Sequence, residues 1–465
     1  MIPWLFVSLV ACRTVAPVRA TNAYATAVAA SADNPERTAE AAWVYLDAAD
    51  PDDPRYDRAQ RLLAQAAEDL GLTWAAGLLY RDIARARRDV SLLPDAIAGL
   101  ERLVRAGTYD RDGWIDGFLA ADDFGVLPDE TTGFVAYHRG LDLVRRREDT
   151  WAKQYFGQIP EGSDWSDRHA YLLAIRDLAD DKVDDTVTKL TDLLLREDLV
   201  DDVRIEATRT LARLAYEQER FDDALLHYEG LRELATEDAG LLLEMAWTHY
   251  WLGDARRTLG LLVAMDAPVH AGFVRPERYV LEALAMRRLC QYEAARRAPL
   301  HLQQRHGEAL RQLRAGTPPH EVASLRDAVR AQSPAGSAPD LVGRMLDEQS
   351  RIPGLALPRG VRVRFEELYA RGLERARKVE AQVLPEAAAR LAEELLAADE
   401  GTRLVVHELG VAMLRGRRRP DGAPERPAEP VPVGSEEAYY RFDGEYWTDE
   451  LDSIVVYAED RCLSD

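Results

Sequence analysis

Small side chains return at matched intervals between Asp167 and Ala295, and few folds accommodate that pattern. Ala174, Ala212, Ala246 and Ala283 are separated by steps of 38, 34 and 37 residues. The pairs Val183/Thr186, Phe221/Ala224, Ala255/Thr258 and Tyr292/Ala295 advance by the same 38, 34 and 37. Two series locked together in this way describe helical hairpins, with the extra residues falling between one hairpin and the next. The first helix carries a small residue at its tightest point. The second opens with an anchor and places a small residue three positions on. Helices approach closely only where side chains are small, and the anchor fills the wedge between hairpins. One hairpin cannot cover its own apolar face, so neighbours must stack.

The order Leu211-Ala212 … Tyr216 … Phe221-Asp222-Asp223-Ala224 … Tyr228 … Leu231 resembles the tetratricopeptide repeat, whose period is about 34 residues. Some positions depart from that pattern. Glu219 stands where a turn glycine is usual, although Gly253 supplies it in the next repeat. The family's terminal proline is missing, and Pro299 interrupts the second helix of the fourth repeat. The resemblance implies an all-α fold: a tetratricopeptide-like α-solenoid of stacked helical hairpins. The alternative is an unrelated all-α bundle. A long helical hairpin and a small C-terminal aromatic β-hairpin tail are expected to follow the repeats.

Before the repeats, Met1 to Ala11 is almost wholly apolar and leads into Leu9-Val10-Ala11-Cys12. This tetrapeptide resembles the lipobox of bacterial lipoproteins. The resemblance implies cleavage before Cys12 and acylation of its thiol with chains such as palmitate, each buried CH₂ adding about 0.8 kcal/mol of membrane affinity. No basic segment precedes the apolar run. Arg13 is not the aspartate that retains such proteins in the inner membrane, so the expectation is a periplasmic domain lipid-anchored to the outer membrane. Residues 1–11 are then a signal peptide and 12–37, rich in Ala, Thr, Ser and Asn, a flexible tether.

Helical periodicity begins near Thr38, and residues 38–160 read as divergent helical repeats, with Ser91 capping one of the helices. Residues 161–312 hold the tetratricopeptide-like repeats and 313–415 a long helical region. Pro385 and Gly401 are expected to break that region into two or three helices forming a hairpin. The basic run Arg415–Arg419 fits a solvated helix end or a headgroup contact. A Pro-rich linker covers 416–433 and an aromatic β tail 434–465. In that tail Asp443-Gly444 lies among five aromatics between Tyr439 and Trp447, a hairpin signal, and Ile454–Tyr457 fits a further strand. Such strands dock, either on the repeats and long helices or on a partner by strand addition. The aromatic block is similar to C-terminal segments of repeat lipoproteins of myxobacteria and their relatives, one of them tied to gliding motility.

The chain carries 81 acidic and 59 basic residues, a formal charge of −22, and a field of that sign repels phosphate backbones. Nucleic acid is therefore excluded as a partner. The nine histidines lie at no metal-binding spacing, and no nucleophile elbow or phosphate loop is present, so neither a cofactor, a metal nor a small-molecule substrate is expected. Acidic pairs such as Asp184-Asp185 and Asp222-Asp223 open second helices, where carboxylates favour the helix dipole. With Cys12 acylated, Cys290 and Cys462 remain as an even pair, and an oxidising periplasm would permit a bridge between them. The expected function is a non-enzymatic scaffold that recruits envelope proteins of a multi-protein complex through a groove faced by Tyr171, Thr208, His249 and Tyr250. The resemblances point to a gliding-motility complex, with an outer-membrane activator of a peptidoglycan synthase as the alternative.

Overall fold

A computed structural model of the chain describes residues 18–106, 116–125, 127–232, 234–235, 238–334, 336–414, 446 and 451–462. Every regular element in them is helical, and there is no β-strand among the described residues. The chain divides into two compact units, residues 1–160 with 333–382, and residues 161–332 with 383–465.

The first unit opens with α1 (Val18–Ala30), α2 (Pro35–Ala48), α3 (Tyr56–Asp69), α4 (Thr73–Ala86), α5 (Leu93–Arg105), α6 (Asp116–Ala121), α7 (Asp129–Arg145) and α8 (Asp149–Phe156). The second contains α9 (Asp164–Ala179), α10 (Val183–Leu194), α11 (Asp201–Glu217), α12 (Phe221–Glu229), α13 (Ala239–Trp251), α14 (Ala255–Ala264), α15 (Glu277–Arg288), α16 (Tyr292–Ala295), α17 (Ala298–Arg314) and α18 (Ala323–Gln332). The chain returns to the first unit with α19 (Ala338–Arg351), and α20 (Arg359–Leu414) contributes its early turns to the first unit and its later turns to the second.

In the second unit the anchors Val183, Phe221, Ala255 and Tyr292 are the first residues of α10, α12, α14 and α16. Ala174, Ala212, Ala246 and Ala283 are fully buried, as are Thr186, Ala224, Thr258 and Ala295. Two of these pairs touch through a hydrogen bond. Thr186 Oγ1 donates to the Ala174 carbonyl and Thr258 Oγ1 to the Ala246 carbonyl, each at 3.2 Å. Threonine serves at such a crossing because it is small and its hydroxyl finds an acceptor on the facing backbone.

The turns between paired helices share one geometry. Asp181, Glu219, Gly253 and Cys290 each lie two residues before an anchor, and each has positive φ, between 53° and 89°. At each, the following N–H reaches back to the carbonyl five residues earlier at 2.9 Å, for example Arg220 N to Ala215 O and Asp254 N to His249 O. This is the Schellman closure of a helix. The first unit uses it too, with Gly71 before α4 and Arg147 before α8. Glycine favours this conformation but packing imposes it on other residues as well.

Several expectations are corrected. Residues 12–37 are not an irregular tether throughout, because Val18–Ala30 is helical. Tyr24 packs on buried Tyr45 with ring centroids 5.3 Å apart, and Ala27 and Ala30 are buried, so the alanine-rich run has a core to pack against. Asp89, not Ser91, supplies the cap ahead of α5 by accepting from the Ser91 N–H. Pro299 lies in the first turn of α17 and so starts a helix after the four-residue α16.

The long region is not a hairpin, because α20 runs unbroken for 56 residues with Pro385 inside it. An interior proline costs about 3 kcal/mol. Leu384, Ala388, Leu391, Ala392, Leu395 and Ala398 pack with α17 and α18 in one apolar cluster, which outweighs that cost. Gly401 does not break the helix either, since it is where α15 comes close: a β-carbon there would lie 3.2 Å from a Val280 methyl. The lipobox, the basic run 415–419, the Pro-rich linker and the aromatic block apart from Tyr446 lie outside the described residues.

In the first unit the carboxylate of Glu348 on α19, almost fully buried, closes the N-terminus of α4. It accepts from Thr73 Oγ1, from the Trp74 N–H at 3.1 Å and from the Tyr369 hydroxyl of α20. The exposed donors of a helix start are met by a charge brought in from another helix.

Candidate functional site

The most distinctive feature of the second unit is an extended segment laid along its helices. After a 3-10 turn at Leu451–Ser453, residues 454–462 carry no regular hydrogen-bonded structure of their own. From Ser453 to Cys462 the side chains alternate strictly between exposed and partly buried, the period of an extended chain. Ile454, Val456, Ala458, Asp460 and Cys462 form the inward series. Leu451 and Ile454 join the core built by α11 to α15, while Val456 and Ala458 pack on Ala255, Leu259, Ala285 and Leu289. The strand expected at Ile454–Tyr457 is therefore corrected to an extended segment whose partners are helices. No sheet edge is present among the described residues to receive it.

The grip is on the main chain. Arg256 Nε donates to the Ala458 carbonyl at 2.8 Å, and the Arg256 carbonyl accepts from the Val456 N–H at 3.2 Å. The Arg256 guanidinium also lies 5.0 Å from the centre of the Tyr457 ring. Arg257 Nη1 donates to the Ile454 carbonyl at 3.3 Å and Gln291 Nε2 to the Glu459 carbonyl at 2.7 Å. The Leu289 carbonyl accepts from the Arg461 N–H at 2.9 Å, and Arg232 reaches the Ser453 hydroxyl at 2.8 Å.

Gly260 makes the approach possible. A β-carbon there would fall 1.8 Å from the Ile454 carbonyl oxygen, so every other residue is excluded while the segment is in place. Gly260 lies four residues after Arg256, and its missing side chain uncovers the carbonyl that receives Val456. An isolated glycine inside a helix costs about 1 kcal/mol and often marks a close backbone approach. That was the signal in the sequence for this site, and neither it nor Arg256, Arg257 and Gln291 was among the expected site residues.

The segment ends on a covalent bond. Cys290, in the left-handed turn before α16, is joined to Cys462, with sulfurs 2.16 Å and α-carbons 5.0 Å apart. Cys290 is buried against Ala283, Tyr292, Val405 and Leu409, and Cys462 packs at the edge of the same cluster.

The four residues expected to face a groove lie on α9, α11 and α13. Tyr171 is half-buried, its hydroxyl 3.3 Å from Thr210 Oγ1, and burial raises its pKa. Thr208 is half-buried on α11. His249 is only 6% exposed, with Nδ1 3.9 Å from an Asp254 oxygen, so it does not face an open groove. Its position at the end of α13 turns it into the hairpin. Tyr250 is half-buried under the Arg288 guanidinium, 4.5 Å from its ring centre, and its carbonyl accepts from the same arginine. These contacts tie α13 to α15.

Two further surface features sit in this unit. Trp251 is 44% exposed, stacks on Phe221 at 5.9 Å and 12°, and donates to the Tyr216 hydroxyl at 2.8 Å. A cleft of about 700 Å³ opens among Leu234, Asp238, Val269, Phe273 and Gln332. Asp238, the one carboxylate lining it among the described residues, is already engaged: it caps α13 and pairs with Arg209 at 2.5 Å. Among the described residues no three His, Cys, Asp or Glu side chains are placed to hold a metal ion, and no helix is long and apolar enough to cross a membrane. Comparison with protein-family models and with curated proteins returns no match.

Proposed function

We propose that the chain is a non-enzymatic scaffold: a tetratricopeptide-like solenoid whose repeats hold segments of other proteins. One observation carries this reading. The repeats grip Leu451–Cys462 largely through that segment's own backbone, using Arg256, Arg257 and Gln291 on its carbonyls and the Arg256 and Leu289 carbonyls on its N–H groups. A surface that binds main chain in this way accepts an extended peptide with few demands on its outward side chains. The paired helices and their buried small residues supply the rigid support. In this reading Cys12 carries the lipid, the domain stands in the periplasm at the outer membrane, and the guests are envelope proteins, those of a gliding-motility complex first among them.

The test is site-specific photocrosslinking in cells with the probe at Trp251 or at Leu226, both exposed. A small set of discrete adducts with envelope proteins is expected. Smears or no adduct from either position overturns the scaffold reading. An adduct with a wall synthase transfers the reading to a regulator of that enzyme. Fatty-acid labelling of the native chain against Cys12→Ser tests the anchor, which fails if the label survives the substitution.

A further inference from the structure

The strip on α14 to α16 is already filled, and its occupant is fastened. We propose that this strip is a redox-gated acceptor for an extended peptide of another protein, with the chain's own C-terminal segment as a resident competitor. The proposal rests on the scaffold reading and deepens it.

The geometry defines the guest. Inward positions alternate, and the residues that fill them here are Ile454, packed on the core that includes Leu261, Leu262 and Leu281, and Val456 and Ala458, packed on Ala255, Leu259, Ala285 and Leu289. A guest therefore needs β-branched or small apolar residues at every second position. Its backbone must be free to bond, which excludes proline at the position that Val456 takes, because that N–H is donated to Arg256. Arg232, Arg256 and Arg257 line the strip, so a neutral or acidic segment is favoured over a basic one.

While the Cys290–Cys462 bond is closed, the resident segment is covalently attached beside its site, and a free peptide cannot displace it. Opening the bond turns displacement into an ordinary competition. A dithiol reductant does this in two steps. Its thiolate bonds to Cys462 sulfur, the more accessible of the two, while the S–S bond breaks and Cys290 leaves as a thiolate that takes up a proton. The reductant's second thiolate then attacks its own bridged sulfur and frees the Cys462 thiolate, which is protonated in turn. The reductant departs as a disulfide, and two electrons have passed to the protein. The resident segment is then held by non-covalent contacts alone, at an effective concentration set by the chain that carries it.

The experiment measures fluorescence anisotropy of a labelled peptide with the sequence of residues 451–462 and serine in place of Cys462. It is titrated with three full-length proteins: oxidised native chain, native chain reduced with a dithiol, and a Val456→Asp/Cys462→Ser chain whose own tail is released in either state. Saturable binding to the reduced and released chains, at least tenfold tighter than to the oxidised chain, is expected. Adding Arg256→Ala to the released chain is expected to weaken binding about tenfold. Equal binding to oxidised and reduced native chains, or binding to the released chain alone, overturns the gate and leaves the acceptor standing. Absence of binding to the released chain, with its helical circular dichroism intact, overturns the acceptor, while the scaffold reading stands or falls separately on the adducts at Trp251 and Leu226.

Discussion

The shared left-handed turn yields a prediction of sign. Glu219 and Gly253 occupy equivalent places, two residues before an anchor, with φ of 60° and 89°. A residue with a β-carbon pays about 1–2 kcal/mol in this conformation. Glycine avoids that cost but gives the unfolded chain more freedom, which costs the folded state about 0.4–1 kcal/mol. The difference is about 0.5–1 kcal/mol in favour of glycine. Glu219→Gly is therefore expected to stabilise the second unit by about that amount, and Gly253→Ala to destabilise it by about the same. The side chain of Glu219 is exposed and makes no bond among the described residues that offsets this. In a unit of this size 1 kcal/mol moves the melting temperature by about 2–4 °C. Thermal and urea unfolding, followed by circular dichroism on oxidised protein, reads the effect. Opposite signs for the two substitutions support the shared turn; a loss of stability in both, or no change in either, refutes it.

Three other outcomes follow from particular contacts. Burial, together with the charges of Arg305 and Arg278, lowers the pKa of His306 to about 4. The folded chain then binds fewer protons than the unfolded one below pH 6.5, so stability is full above that pH and falls as pH drops towards 4, by roughly 2 kcal/mol at pH 5. His306→Gln is expected to flatten that part of the stability profile relative to the native chain, and parallel profiles contradict it. Glu348→Gln keeps the shape but removes a charge that accepts three hydrogen bonds at the start of α4, and is expected to destabilise the first unit by about 1.5–3 kcal/mol in urea unfolding. Pro385 is exposed within α20, so Pro385→Ala restores a backbone donor and is expected to stabilise by up to about 3 kcal/mol, with a neutral result pointing to a helix that has already adapted to the proline.

The crossings were legible in the sequence because close helix packing is a demand on residue size, and size is visible in every letter. Val183, Phe221, Ala255 and Tyr292 start helices, and the four alanines and their partners are buried, because one steric requirement places both. What was not legible depended on contacts far along the chain. Nothing local distinguishes the run Val18–Ala30 from a tether, since alanine and threonine without periodicity become helical here by packing on Tyr45 and its neighbours. Pro385 reads as a breaker until α17 and α18 are seen to hold the helix through it. The turns at Asp181, Glu219 and Cys290 lack the glycine that would announce them. Gly260 was readable as an anomaly, but its meaning required knowing that Ile454 passes over it. His249 and Tyr250 drew attention as polar or aromatic residues on a first helix, where only the structure shows them turned into the hairpin and under Arg288.

Residue-resolved amide exchange on the full-length oxidised chain probes most directly whether the repeats hold an extended main chain. The N–H groups of Val456 and Arg461, bonded to the Arg256 and Leu289 carbonyls, are predicted to exchange more slowly than that of Val455 by at least a factor of ten, with Gly260→Val erasing the difference at Val456. Uniform exchange along residues 453–462 at the rate of an unstructured peptide would contradict it.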